Sequence, residues 1–338
     1  MALAVIVSFA AALFITPRFI RFLEAAGITG KDIQKRERPT IAEMGGPAVL
    51  TGFLAGIFFY IWVKVFLYGE VQNLVELFAG ITTILIITII GMFDDLSSLT
   101  RKGKADNFGN LKRIGLKQWQ KPLLTLPAAI PLMAIMAGDT SIAVPLLGSI
   151  NVGIFYPLLI VPMAIIGASN ATNILAGMNG LEAGLGIVLI STLGAYAYLH
   201  ESVAAAMIAF TFAISLLAFL WFNKYPARIM PGDSMTYAIG SVVAVVAIIG
   251  NMEKFALYVF ILWFVELALK IRSRIDLGHT AESFGVLQPG GTLKAPYPKI
   301  YSLTHAVMKI RPMKEWQVVM VLVGLQVLIS MSVFLIMG

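Results

Sequence analysis

An all-α polytopic membrane protein with about ten transmembrane helices is the fold class the sequence predicts, and three observations predict it. The 338-residue chain is 59% hydrophobic and only 13% charged, with a mean hydropathy of +0.87. A water-soluble domain of that length cannot bury so much apolar surface. Most apolar residues fall in runs of about twenty, the length at which a helix crosses a hydrocarbon core. Finally, 23 of the 25 Lys and Arg residues lie in alternate loops between those runs. That asymmetry orients helices across a bilayer.

The expected spans lie near residues 2–22, 47–68, 74–93, 121–137, 154–174, 183–199, 203–222, 234–250, 254–270 and 315–337. The chain opens on an apolar run whose first basic residue is Arg18, so this run reads as an uncleaved first span. The loop after it carries Arg18, Arg21, Lys31, Lys35, Arg36 and Arg38, and Lys64 lies within the second span. The third span ends in Gly91-Met-Phe-Asp94-Asp95, and basic residues run from Arg101 to Lys121 in the loop that follows. Pro127, Pro131, Pro157 and Pro162 predict kinks in the fourth and fifth spans. Between those two, the segment Asp139 to Gly153 has β-prone stretches around Pro145 and Gly148 and suits a small hairpin on the outer face. Lys224 and Arg228 follow the seventh span, and a further basic set from Lys270 to Lys314 follows the ninth. Lys254 stands on the opposite face. The positive-inside rule then puts the basic loops in the cytoplasm and both termini outside.

Residues 1–338 read as a single transmembrane domain, with cytoplasmic loops near 23–46, 94–120, 170–182, 223–233 and 271–314 and no internal repeat. A net charge of +7 carried in such loops is an orientation signal, not a sign of nucleic-acid binding. The absence of cysteine excludes disulfides, thiolate metal sites and a thiol nucleophile.

Chemistry enters where carboxylates meet hydrocarbon. Asp94 and Asp95 end an apolar run, and burying them in the bilayer would cost several kcal/mol each, so they belong where the helix leaves it. Side by side they repel, and a lysine or a metal ion would reconcile them. The loop Ser169-Asn-Ala-Thr-Asn173-Ile-Leu-Ala-Gly177-Met-Asn179-Gly180-Leu-Glu182 is cytoplasmic by alternation yet holds no Lys or Arg. Asn170 and Asn173 share one helical face. Such a loop is either a glycine-rich turn between helices or a site for a metal and a neutral, hydrogen-bonding group such as a base or a sugar. In Phe222-Asn223-Lys-Tyr-Pro226-Ala-Arg-Ile-Met-Pro231-Gly232-Asp233-Ser234, Asp233 fits an N-cap of the eighth span. It fits equally a metal ligand at the depth of Asp94 and Asp95, since Mg²⁺ takes one or two protein oxygens and completes its shell with phosphates and water. Asp233 with the Asn173 carbonyl meets that need.

FDD, NATNILAGMNGLEAG and FNKYPARIMPGDS, in this order and on one membrane face, resemble the polyprenyl-phosphate N-acetylhexosamine-1-phosphate transferases of the glycosyltransferase family 4 type. Within them the eukaryotic and archaeal dolichyl-phosphate N-acetylglucosamine-1-phosphate transferase branch is the nearest in motif. AGITGKDIQK and IAEMGG in the first inside loop extend the likeness over most of the chain. The bacterial muramoyl-pentapeptide branch has aspartates where this chain has GMNG, and its histidine cluster after the ninth span is absent here. His279 and His305 are assigned to packing. The resemblance implies that Asp94 and Asp95 are the paired catalytic acids, Lys121 the catalytic lysine, and Asn173 and Asp233 the Mg²⁺ ligands, with Mn²⁺ as an alternative ion. It implies substrate contacts at Lys31, Asp32, Glu43, Asn170, Asn179, Glu182, Asn223 and Gly232, and a diphosphate and amino-sugar clamp at Arg272 and Arg274. Taken alone, Lys121 is a basic helix flank and the two arginines are ordinary positive-inside residues.

The implied reaction moves N-acetylglucosamine 1-phosphate from UDP-N-acetylglucosamine to a polyprenyl or dolichyl phosphate and releases UMP, the first step of lipid-linked oligosaccharide assembly for glycoprotein glycosylation. Both partners are anionic, so Mg²⁺, Lys121, Arg272 and Arg274 would neutralise charge and fix in-line geometry. Direct displacement is favoured over an aspartyl-phosphate route. The eukaryotic-type motifs without cysteine suit an archaeal plasma membrane, with the site facing the cytoplasm; a homodimer is one option for assembly. The alternatives are a flippase or secondary transporter, a membrane nucleotide-lipid hydrolase, or a relative using another UDP-N-acetylhexosamine. Transporters place ionisable residues at the bilayer midplane, whereas here the midplane positions are almost free of charge, and Glu266 and Lys270, one turn apart, are placed to pair.

Overall fold

The computed structural model describes residues 1–100, 102–105, 111–113, 120–144 and 148–337. Helices form where the apolar runs predict them. The chain begins with α1 (Ala2–Ala25), the strands β1 (Thr29–Lys31) and β2 (Thr40–Ala42), and α2 (Gly46–Trp62), which a π-helical turn extends over Val63–Leu67. α3 (Leu74–Thr100) is followed by β3 (Lys102–Ala105) and β4 (Leu111–Arg113). Then come α4 (Gln120–Thr125), a 3₁₀ turn (Leu126–Ala129), α5 (Ile130–Ala134), β5 (Ser141–Val144) and β6 (Gly148–Asn151). A π-helical turn (Tyr156–Ile160) opens α6 (Val161–Thr172), and α7 (Leu181–Leu199), α8 (Val203–Asn223) and α9 (Gly232–Ile249) follow. The chain ends with α10 (Glu253–Val259), α11 (Ile261–Leu277), β7 (Val286–Leu287), β8 (Leu293–Lys294), α12 (Leu303–Ile310) and α13 (Glu315–Met337).

Among the described residues seven helices are long and apolar enough to cross a membrane: α1, α2 with its extension, α3, α7, α8, α9 and α13. The remaining three of the expected spans are shorter or interrupted. Proline is the reason in two of them. Pro127 and Pro131 lie in or beside the 3₁₀ turn that separates α4 from α5, and Pro157 lies in the π-helical turn before α6. A proline lacks the donor an α-helix needs and its ring clashes one turn back. In the third, Phe260 (φ −83°, ψ 8°) leaves the helical range and separates α10 from α11. The chain is mostly helical, and among the described residues four two-stranded antiparallel ladders lie between the helices, three more than the single small hairpin expected. One of them pairs Ser141–Val144 with Gly148–Asn151; Pro145 between them lies outside the described residues.

α9 is the inside of the bundle. Every residue from Ser234 to Ile248 is buried, with α3, α6, α7 and α8 packed around it. α8 holds the second central place, against α1, α2, α7 and α9, while α1 and α13 are mostly exposed on the rim. Lipid is as apolar as leucine, so helices in a membrane associate through close packing and not through hydrophobic transfer. Gly91 shows this where it matters for the site: a Cβ there would stand 2.6 Å from the Ser234 Cα, so α3 and α9 meet backbone to backbone.

Loops on one side are then tied to the bundle. The β1–β2 hairpin reaches the segment before α9 through Met230 N–H to Ala42 O (2.8 Å) and Gly45 N–H to Pro231 O (2.7 Å). The segment after α11 folds back on that helix. Glu266 and Lys270 pair at 3.3 Å; Glu266 also accepts from Leu303 N–H (2.7 Å), and Lys270 donates to Ala281 O (2.8 Å) and Ser283 Oγ (2.7 Å). His305 is wholly buried there. Burial first, then the Lys270 ammonium, pushes its imidazole down to about 4, so it is neutral at pH 7 and packs instead of titrating.

Candidate active site

The sequence places Asp94 and Asp95 side by side, but successive residues of a helix point about 100° apart. The two carboxylates therefore face different neighbours. Asp94, 1% exposed, lies 2.7 Å from the Lys121 ammonium and accepts a hydrogen bond from Tyr237 Oη at 3.1 Å. Asp95 turns to the start of α9 and accepts from the backbone N–H groups of Asp233 (2.6 Å) and Ser234 (3.0 Å). It thus occupies two of the unpaired donors at a helix N-terminus, where a carboxylate is also favoured by the helix dipole.

Gly232 makes this contact possible. Its φ is +70°, and a Cβ would stand 2.5 Å from Asp95 Oδ2. Gly232→Ala is expected to cost about 1–2 kcal/mol from the left-handed backbone alone. It should also displace Asp95 and α9's first turn, lowering turnover by about a hundredfold, the usual consequence of an ångström-scale misplacement. Steady-state rates beside melting temperatures check it: unchanged turnover would separate Gly232 from the geometry of the site.

Asp233 completes the acidic centre. Its Oδ2 lies 3.2 Å from Lys121 Nζ, and its side chain is 27% exposed. Asn173, the residue that ends α6, comes to the same place. Thr236 Oγ1 stands 3.3 Å from Asn173 Oδ1 and 3.2 Å from the Asp233 carbonyl. Four helix ends (α3, α4, α6 and α9) therefore converge. Of the three carboxylates, Asp95 is held by the α9 N-terminus while Asp94 and Asp233 share one ammonium. Two carboxylates around one ammonium, with the Asp233 side chain partly exposed, are a setting for a cation. Among the described residues no group of three or more His, Cys, Asp or Glu side chains forms a metal cage. The donor set fits an ion that brings phosphate and water ligands of its own.

A second centre lies along the 177–182 loop. Glu182, 7% exposed, accepts from Gly177 N–H at 2.7 Å with Oε1, and its Oε2 is buried without a partner among the described residues. Asn179 Oδ1 accepts from Lys35 Nζ (2.6 Å) and Ala227 N–H (3.0 Å). Asp32 is ion-paired with Lys35 at 2.8 Å. Asn223 donates to Ile229 O at 2.8 Å, shaping the segment between α8 and α9. Asn170 spends its amide on Ile166 O, one turn back on its own helix.

Other predicted residues stand apart. Lys31 is exposed on β1, and Glu43 is half-buried just after β2. Arg272 turns to Asp276 at 3.8 Å and lies over the Tyr301 ring, while Arg274 is exposed. Among the described residues neither arginine bonds to the acidic centre. Trp119, two residues before Lys121 in the sequence, lies outside the described residues. Sequence reasoning missed Tyr237, although its position four residues after Asp233 puts it on the same face of α9. It also missed Lys35 and Glu315, which look like a positive-inside residue and a helix-start acid.

Residues 77–251, from α3 to just beyond α9, match Glycosyl transferase family 4. A Saccharolobus solfataricus protein provisionally named as a UDP-N-acetylglucosamine–dolichyl-phosphate N-acetylglucosaminephosphotransferase is 34% identical, over 97% of this chain and 94% of its own. The protein of that function named in Dictyostelium discoideum is 27% identical, over 70% of this chain and 63% of its own. A phospho-N-acetylmuramoyl-pentapeptide-transferase of Clostridium perfringens is 28% identical, over 78% of each chain. The matched family segment contains both aspartates of α3, Lys121, Asn173, Asn179, Glu182 and Asp233.

Proposed function

The chain belongs to glycosyl transferase family 4, and on that premise we propose that it transfers N-acetylglucosamine 1-phosphate from UDP-N-acetylglucosamine to a polyprenyl or dolichyl phosphate. UMP is released, and the product opens lipid-linked oligosaccharide assembly for glycoprotein glycosylation. The observation that carries this reading is the convergence of Asp94, Lys121, Asn173 and Asp233 at four helix ends, in a chain whose relatives carry that activity in their names.

The nucleophile is a phosphate oxygen of the lipid. With a second pKa near 6 it is largely ionised at neutral pH and needs no strong base. A bond forms from that oxygen to the β-phosphorus of the nucleotide sugar, and the bond from β-phosphorus to the bridging oxygen breaks, leaving UMP. Lys121, already within reach of two carboxylates, neutralises charge as the two anions approach. Asp233 and the Asn173 carbonyl would hold Mg²⁺ or Mn²⁺, which supplies charge neutralisation at the phosphates when bound. Neither α3 carboxylate is placed as an attacking group: Asp94 is buried against Lys121 and Tyr237, and both Asp95 oxygens are taken by α9. That supports direct displacement over an aspartyl-phosphate. Asp94 holds Lys121, and Asp95 holds Asp233.

The basic loops would face the cytoplasm of the plasma membrane with both termini outside, the interrupted segments around α4–α5, α6 and α10–α11 adding three crossings to the seven. Donor labelled in both the sugar and the β-phosphate tests the reaction. Both labels in the lipid, with UMP formed, is the expected result; sugar label alone with UDP formed would make it an ordinary glycosyltransferase. Lipid movement across vesicles without transfer would make it a flippase. Running the assay with other UDP-N-acetylhexosamines reads the sugar.

A further inference from the structure

Gln326 is wholly buried, midway along α13, a rim helix whose buried stripe is otherwise Glu315, Val318, Val319, Leu322 and Ser330. An amide surrounded by hydrocarbon acts as glue between helices where it finds partners. Its Nε2 donates to the Val259 carbonyl at 3.0 Å and to Ser330 Oγ at 3.3 Å, so both amide donors are placed. Val259 is the last residue of α10, where the helix gives way. In an unbroken helix its carbonyl would accept from the N–H four residues on, at Trp263. Here Phe260 leaves the helical range (φ −83°, ψ 8°), and Trp263 N–H turns to Phe260 O at 3.1 Å. A bilayer offers no water to a carbonyl that has lost its donor. The Gln326 amide stands in for the missing backbone N–H.

The break sets the direction of α11. That helix packs on α6, α10 and α12, and Phe264, Leu267, Ile271 and Ile275 stay exposed along it. What α11 carries reaches the acidic centre. Lys270 donates to Ala281 O (2.8 Å) and Ser283 Oγ (2.7 Å), and Ser273 Oγ accepts from Ala281 N–H (3.0 Å). Ser283 Oγ lies 3.5 Å from the carbonyl of Ile174, the residue after Asn173. The Phe284 ring lies against Gly177, where a Cβ would stand 2.5 Å from it. A swing of α11 is therefore passed to the end of α6.

We infer that Gln326 is a positioning residue: its amide pins the break between α10 and α11, and the pin holds α11 and residues 281–284 against the end of α6 beside Asn173. Without that donor, the Val259 carbonyl is satisfied along its own chain by the return of Trp263 N–H, which straightens the helix. With a rise of 1.5 Å per residue, a swing of about 10° at Phe260 moves Ile275 by about 4 Å. The effect on geometry stands by itself, whereas the effect on rate rests on the phosphosugar-transfer reading above.

The chain has no cysteine, so a pair of spin labels can be introduced cleanly. Leu217→Cys on α8 and Ile275→Cys on α11, both at exposed positions, report where α11 stands against the centre of the bundle, by pulsed EPR on the full chain in lipid nanodiscs. With Gln326 in place a single narrow distance is expected. Gln326→Met, close in volume and without a donor, should shift or broaden it by about 4 Å and lower phosphosugar transfer by at least about tenfold. Gln326→Glu should restore both, because a carboxyl surrounded by hydrocarbon keeps its proton and with it an O–H donor. An unchanged distance in Gln326→Met overturns the inference. So does an equal shift in Gln326→Met and Gln326→Glu, which makes the side chain a matter of packing. Should Gln326→Met not fold, Gln326→Asn, which draws the amide back by one methylene, reads the same shift. A shifted distance with an unchanged rate detaches the pin from the site and overturns its link to Asn173. If the labelled protein with Gln326 in place transfers no phosphosugar to lipid, the reaction reading fails while the distances still decide the pin.

Discussion

Asp233→Asn is expected to lower phosphosugar transfer by about a thousandfold or more while the protein stays folded. The substitution keeps the shape of a side chain that is 27% exposed, and the features that hold this end of α9 are independent of it. Asp95 binds the backbone N–H groups of residues 233 and 234, and α9 is buried from Ser234 onwards. What is lost is the partly exposed carboxylate, and with it the negative charge that would draw a cation next to Asn173 Oδ1. Charge stabilisation by a metal ion is worth several kcal/mol in a transition state, and each 1.36 kcal/mol is tenfold in rate, so about 4 kcal/mol gives the stated loss. The check is transfer at a series of Mg²⁺ and Mn²⁺ concentrations, beside a melting curve. Retention of more than about a tenth of the native rate at any of them would sink the assignment of Asp233 to the metal.

The parts of this site that were legible in the sequence are those written locally. Acidic residues at the end of an apolar run, a cytoplasmic loop with no basic residue and an aspartate just before the eighth span need no partner to be noticed. The proline-bearing runs were legible as kinked, and the kinks are real, but the sequence does not say that a 3₁₀ turn would leave α4 and α5 as short pieces. The division between Asp94 and Asp95 was hidden, because adjacency in sequence conceals a 100° turn in space. Lys35 and Glu315 were hidden for another reason. They are 280 positions apart, and each has an ordinary local explanation until the fold buries both. Arg272 and Arg274 came from family likeness, and in the structure they stand away from the acidic centre, so a role for them as a clamp asks that substrate bridge the gap.

The largest combined effect on stability and rate is expected for Lys121→Met. Asp94 is 1% exposed and pairs with Lys121 at 2.7 Å; with the ammonium gone, Tyr237 Oη at 3.1 Å remains to it. Removing one partner of a buried pair costs about 3–5 kcal/mol, because the other charge is left behind in an apolar setting. Turnover should fall by at least about a hundredfold, the scale seen when a single charge-stabilising donor is removed from an active site. Stability and chemistry can then be separated by adding Asp94→Asn. The double variant no longer leaves the buried Asp94 charge without its ammonium, so its melting temperature should recover most of the loss while its rate stays low. If the rate recovers together with the melting temperature, Lys121 serves only to keep Asp94 in place. If neither recovers, Asp94 needs its charge for more than holding Lys121, and the two residues act as one unit on the substrate. Only recovery of stability without recovery of rate makes the Lys121 ammonium itself the group that meets the phosphates.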